Sequence, residues 1–91
     1  MYKLKNYMED LVDINLNILL EEYEDICKCD KCILDIKAIA LNNLKPRYGV
    51  TRIGDVYIRI DESKTGSNVK MMSEIIKAIE KVSKNPHNGD E

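Results

Sequence analysis

The chain contains no Phe and no Trp, one His, two Pro and four Gly among 91 residues, and its 5% aromatic content is all Tyr. Without the largest aromatic side chains, a core has to be assembled from Ile, Leu, Val, Met and Ala. The lone histidine, His87, is the one side chain whose unperturbed pKa lies near neutrality, and it sits in the expected C-terminal tail. No Ser-His-Asp arrangement, no phosphate-cradling G-x-x-x-x-G-K and no G-x-G-x-x-G is present, so the inventory argues against an enzyme. No run approaches the ~18 to 20 apolar residues of a membrane span, and Met1-Tyr2-Lys3-Leu4-Lys5-Asn6 lacks the apolar stretch of a secretory signal. The expectation is a cytoplasmic protein without membrane insertion. Charge of one sign is lacking too: 14 basic and 16 acidic residues give a formal charge of -2, which supplies no general attraction to DNA. Direct DNA binding is therefore not expected, and only a local basic patch could attract a phosphate.

What is present is a small globular domain. Apolar residues make up 44% and charged residues 33%, too rich in Ile, Leu and Val for a disordered chain. A chain of this size removes only roughly 60 to 65% of its unfolded surface from water, too little for a deep core together with a large catalytic cleft. Such domains usually need a staple or a partner.

The chain divides into helical and extended stretches. Leu4, Tyr7, Met8, Leu11, Ile14, Ile18 and Leu19 recur at steps of three and four, predicting a helix from about Leu4 to Ile26, with a kink or break near Asp13-Ile14-Asn15-Leu16-Asn17. A second helix is expected from Lys31 to Leu44 with Asp30 as its N-cap, ending before Pro46. Ile33, Ile36, Ile39, Ala40 and Leu44 supply its inner face. Val56, Ile58 and Ile60 alternate with Tyr57 and Arg59, predicting a strand that turns at Gly54-Asp55 to pair with Gly49-Val50-Thr51. A third helix is expected from Ser67 or Asn68 to about Lys84, with Val69, Met72, Ile75, Ile76, Ile79 and Val82 inward. Residues 1–86 then form one domain, and 87–91 a flexible tail. Three or four helices with one short β-hairpin make a small, helix-rich α+β fold. A lone hairpin leaves open edges, which a symmetric homodimer would cover.

All three cysteines fall within Cys27-Lys28-Cys29-Asp30-Lys31-Cys32. A sharp turn around Asp30 would bring the three sulfurs together, and Cys29-Asp30-Lys31-Cys32 has the knuckle spacing that wraps a tetrahedral zinc. At the start of a helix, beside Lys28 and Lys31, thiolate is favoured over thiol. A closed site requires a fourth ligand. His87 folding back, thiolates shared across a dimer, a carboxylate such as Asp30 or Asp35, and water are all open as completions. The competing readings are reduced, partly buried thiols with no metal, and a thiol redox centre, for which a strand rather than a helix should precede the motif.

A second feature is the basic segment Lys45-Pro46-Arg47-Tyr48-Gly49-Val50-Thr51-Arg52, with Arg59 and Lys37 as further candidates. Guanidinium groups match phosphate oxygens, and a Tyr ring can stack on a base. Lys45, Arg47, Tyr48, Arg52 and Arg59 are thus candidate ligand-binding residues, doubled across a two-fold axis in a dimer. A solvated basic loop balancing the acidic first helix is the alternative.

The block Cys27-x-Cys29-x-x-Cys32-x-x-Asp35-Ile36-x-Ala38-Ile39-Ala40-Leu41-Asn42-x-Leu44-x-Pro46-Arg47-Tyr48 closely resembles the core motif of the late competence development ComFB family. Asn6-Tyr7-Met8-Glu9 and Ala78-Ile79-x-x-Val82-x-x-Asn85-Pro86 extend the likeness over most of the chain. Ile39 stands where Leu is usual, and Gly49 where a β-branched residue is more typical. The resemblance implies a non-enzymatic cytosolic α+β dimer whose cysteines look like the family's zinc-binding group. It also implies a link to natural competence, pili and motility through a cyclic dinucleotide, c-di-GMP or c-di-AMP. The expectation is a regulatory receptor, and the alternative is a zinc-stapled structural adaptor for competence proteins without a small ligand.

Overall fold

The computed structural model of the chain describes residues 2–50 and 67–86. In chain order the elements are β1 (Lys5–Asn6), α1 (Met8–Leu20), α2 (Asp30–Asn42), β2 (Tyr48–Gly49) and α3 (Ser67–Lys84). Among the described residues, three helices and a two-stranded antiparallel pair form the expected small α+β fold.

The first helix is shorter at both ends than its periodicity predicts. Asn6 stops it on the N-terminal side: its Oδ1 accepts the Met8 N–H at 3.2 Å and the Arg47 N–H at 2.8 Å, so one side chain starts α1 and ties it to the segment entering β2. The Tyr7 N–H donates to the Arg47 carbonyl at 2.7 Å, and β1 pairs with β2 in the register Lys5 to Gly49 and Asn6 to Tyr48. Lys5 is held by Asp10 at 2.8 Å and lies over the Tyr7 ring. Residues 5 and 6 are therefore strand, and the described partner of Tyr48–Gly49 is this N-terminal segment. The expected partner strand at 56–60 lies outside the described residues.

At its other end α1 stops at Leu20, because Glu21, Glu22, Glu24 and Asp25 would place four carboxylates against the negative end of the helix dipole. The last turn of α1 contains no basic residue. The cation comes from the loop: Lys28 Nζ donates to the Leu20 carbonyl at 2.9 Å. No break occurs at the two asparagines. Asn15 bonds the Leu11 carbonyl at 2.8 Å within the continuous helix.

Helix α2 begins one residue before the expected start, with extended Cys29 (φ -71°, ψ 165°) as the N-cap and Asp30 as the first helical residue. It ends at Asn42. Asn43, at φ -107°, caps it: its N–H donates to the Ala40 and Leu41 carbonyls and its Nδ2 to the Ile39 carbonyl at 2.8 Å. Helix α3 runs to Lys84, with Lys81 and Lys84 in its last turn and Pro86 beyond.

The core is the aliphatic one that the missing aromatics require. Met8, Leu11, Val12, Leu16 and Leu20 of α1 meet Cys32, Ile36 and Ala40 of α2 and Met71, Ile75, Ala78, Ile79 and Val82 of α3. The most extensive packing is between α2 and α3. The buried stripe of α1 is rotated from the predicted one: Leu4, Ile14 and Ile18 are exposed, and Val12 and Leu16 take their place in the interior. On α3, Val69 is exposed and the more N-terminal core position is Met71. Among the described residues, no helix is long and apolar enough to cross a membrane.

Candidate metal centre

The loop after α1 returns through Lys28 to the helix end and delivers Cys27 and Cys29 to the N-terminus of α2, where Cys32 occupies the first turn. The three sulfurs lie within 4.8 Å of one another. Thiolates around a tetrahedral zinc, with bonds of about 2.3 Å, stand about 3.8 Å apart, so closure by about an ångström would bring this set into range. Cys32 is buried, and Cys27 and Cys29 are partly exposed. A metal here would be shielded on the helix side and open on the loop side.

The backbone N–H of Cys32 at the start of α2 lowers the Cys29 pKa from its ordinary value, aided by the Cys27 thiol and the Lys31 N–H and opposed by desolvation. N-terminal helix amides thus favour the ionised sulfur that a soft cation binds. The residues fit zinc by donor chemistry and by spacing. Zinc held by Cys27, Cys29 and Cys32 would cross-link the end of the α1 loop to α2.

The proposed completions divide. Asp35 is engaged by Lys31 at 2.7 Å, one turn apart on α2. Among the described residues, the metal-binding group consists of the three cysteines, with neither Asp30 nor Asp35 in it. His87 lies outside the described residues. The periodicity gave no sign of the role of Lys28, which follows only once α1 is seen to end at Leu20.

The basic segment is partly assembled. The Arg47 backbone is fixed through Asn6 and Tyr7, whereas Lys45 and Tyr48 are exposed, Tyr48 at 59%. Arg52 and Arg59 lie outside the described residues. Lys37 does not join this segment; it pairs with Asp13 of α1 at 2.6 Å.

A small α+β domain, with three helices among the described residues and a thiol cluster at the mouth of the second, is the class of protein that fold and site define. The chain matches the family described as late competence development protein ComFB over residues 5–86 and belongs to that family. A solved structure of the late competence protein ComFB from Bacillus subtilis superposes with a TM-score of 0.84, covering 92% of each chain at 23% identity. No curated protein matches the chain.

Proposed function

We propose that this chain is a non-enzymatic regulatory binding protein, a zinc-stabilised homodimer that receives a cyclic dinucleotide, c-di-GMP or c-di-AMP, and signals to competence, pilus or motility proteins. The observation that carries the reading is the convergence of Cys27, Cys29 and Cys32 in a member of the ComFB family. The ligand side is supported by the basic segment: backbone hydrogen bonds anchor Arg47 to the N-terminus of α1, leaving the neighbouring Tyr48 ring open for stacking on a base. Lys45, Arg52 and Arg59 supply further positive charge. Absence of the usual catalytic constellations and the small core agree with a binding role.

One observation favours a zinc-stapled adaptor without a nucleotide: Lys45, Arg47 and Tyr48 line neither the cleft between α2 and the end of α3 nor the shallow one at Val69, Met72 and Ile76 of α3. Titration calorimetry with c-di-GMP and with c-di-AMP separates the two. Binding to one nucleotide that is lost in Arg47→Ala and in Arg59→Ala supports the receptor. Silence with both at micromolar zinc-loaded protein overturns it in favour of the adaptor.

A further inference from the structure

Of the three sulfurs, that of Cys32 is placed by the core, since the residue is fully buried in the first turn of α2. Cys27 and Cys29 are partly exposed and lie in the stretch joining α1 to α2. Between them, Lys28 sends its side chain the other way: Nζ donates to the Leu20 carbonyl at 2.9 Å, closing a span of eight residues onto the end of α1. Cys29 is extended, and extended backbone turns successive side chains to opposite sides. The middle residue of Cys-x-Cys can therefore hold the chain from behind while both sulfurs face Cys32. The Leu20 carbonyl also accepts the Tyr23 N–H at 3.1 Å. A carbonyl oxygen has two acceptor sites, so the end of α1 keeps a partner when the Lys28 ammonium is removed. What the ammonium holds is the loop, not the helix end. Lys31, the other lysine between the cysteines, pairs instead with Asp35 one turn along the same helix.

We propose that Lys28 is a positioning residue for the metal centre: by fastening the loop to the end of α1 it holds Cys27 and Cys29 near Cys32 before a metal arrives, and so raises the zinc affinity. The inference rests on the reading of the three cysteines as zinc ligands. A protonated Lys has no lone pair to give a metal, so its action is through the loop. With the sulfurs already within 4.8 Å of one another, a fastened loop loses little further freedom on closing around an ion. A released loop has to be ordered by the metal, and the cost of that ordering lowers the affinity. In the metal-free chain the freed loop regains entropy that offsets the lost bond; in the loaded chain the ion keeps the loop ordered and the loss is felt in full. Charge alone would act differently, because an ammonium beside three thiolates would then matter as much at position 31 as at 28.

The test is the zinc affinity of the full-length, tag-free protein, measured by competition with a chromophoric chelator, together with the thermal midpoints of the stripped and loaded forms. Lys28→Met, which keeps the apolar stem, is expected to bind zinc about fivefold more weakly, the scale of one lost hydrogen bond. Its loaded midpoint should fall by more than its stripped one. Cobalt(II) in place of zinc should give the same thiolate charge-transfer absorption at saturation, reached at higher cobalt, because the ligands themselves are unchanged. Lys28→Arg retains a cationic donor and should recover most of the affinity. Lys31→Met removes the same charge without freeing the loop and should change the affinity far less. The proposal is overturned if Lys28→Met binds zinc as the wild type does, if Lys31→Met weakens binding equally, if Lys28→Arg recovers nothing, or if the stripped and loaded midpoints of Lys28→Met fall by the same amount. Wild-type protein that takes up no zinc removes the metal reading and this proposal with it, whereas the other adverse outcomes leave that reading standing.

Discussion

At the residue scale, the three thiols differ because they occupy different positions relative to one helix end. Cys32 is inside the first turn and buried in the core, so its burial contributes to folding whether or not a metal is present. Cys29 is the cap, where backbone amides hold its pKa down. In metal-free protein the folded state therefore loses the Cys29 proton at lower pH than the unfolded chain. The unfolded state binds more protons between the two values, so stability rises with pH across that window. The contribution is complete above the unfolded thiol's range and is lost as pH falls through the folded value. With zinc removed, iodoacetamide labelling followed by mass spectrometry should give Cys29 a pH midpoint below that of an unfolded cysteine. A Cys29 midpoint equal to that of an unfolded cysteine would show that the α2 amides do not act on it.

At the element scale, periodicity located all three helices, and the errors lie where two competing signals sit in one stretch. On α1, apolar residues at 8, 11, 12, 14, 16, 18, 19 and 20 surround much of the helix, so steps of three and four can be drawn along more than one stripe. Packing against α2 and α3 selects Met8, Leu11, Val12, Leu16 and Leu20. Pairing of β1 with β2 was not legible, since two-residue strands have no alternation to read and their partners are about forty positions apart. By contrast, the cysteine cluster and the stop before Pro46 follow from spacing and from proline geometry, and both are present in the structure. The selected stripe can be checked by substitution. Ile75 on α3 is fully buried, and Ile75→Ala should cost about 2 to 5 kcal/mol in urea denaturation. Ile18, 55% exposed, should change stability by less than about 0.5 kcal/mol as Ile18→Ala. Equal losses at the two positions would mean that the Ile18 face is covered in the assembled protein.

At the scale of the whole molecule, a mainly aliphatic core, fourteen buried residues among those described, Tyr7 and Cys32 included, has to hold a body about 39 × 28 × 20 Å. The loop between α1 and α2 rests the partly buried Tyr23 and Ile26 against that core. It is fastened by the Lys28 contact to Leu20 at one point and by the cysteine group at the next. A metal bound to the three sulfurs of the folded chain adds its binding free energy to folding, because the unfolded chain does not hold them within reach of one ion. Apparent values for structural zinc run to ~10 kcal/mol, and about one kcal/mol moves the midpoint of a domain this size by ~4 to 8 °C. Even a few kcal/mol therefore predicts a loss of more than ~10 °C in thermal midpoint when a strong chelator strips tag-free protein, restored by adding zinc. Cys32→Ser should lower the midpoint and abolish the chelator effect together, since it removes both a core side chain and a ligand. His87→Ala tests the fourth position separately: if zinc stoichiometry and midpoint are unchanged, the ligand comes from the partner copy, from a carboxylate or from water. Sedimentation of the stripped and loaded forms then distinguishes the first of these, because thiolates shared across a dimer make assembly depend on the metal, whereas the other two do not.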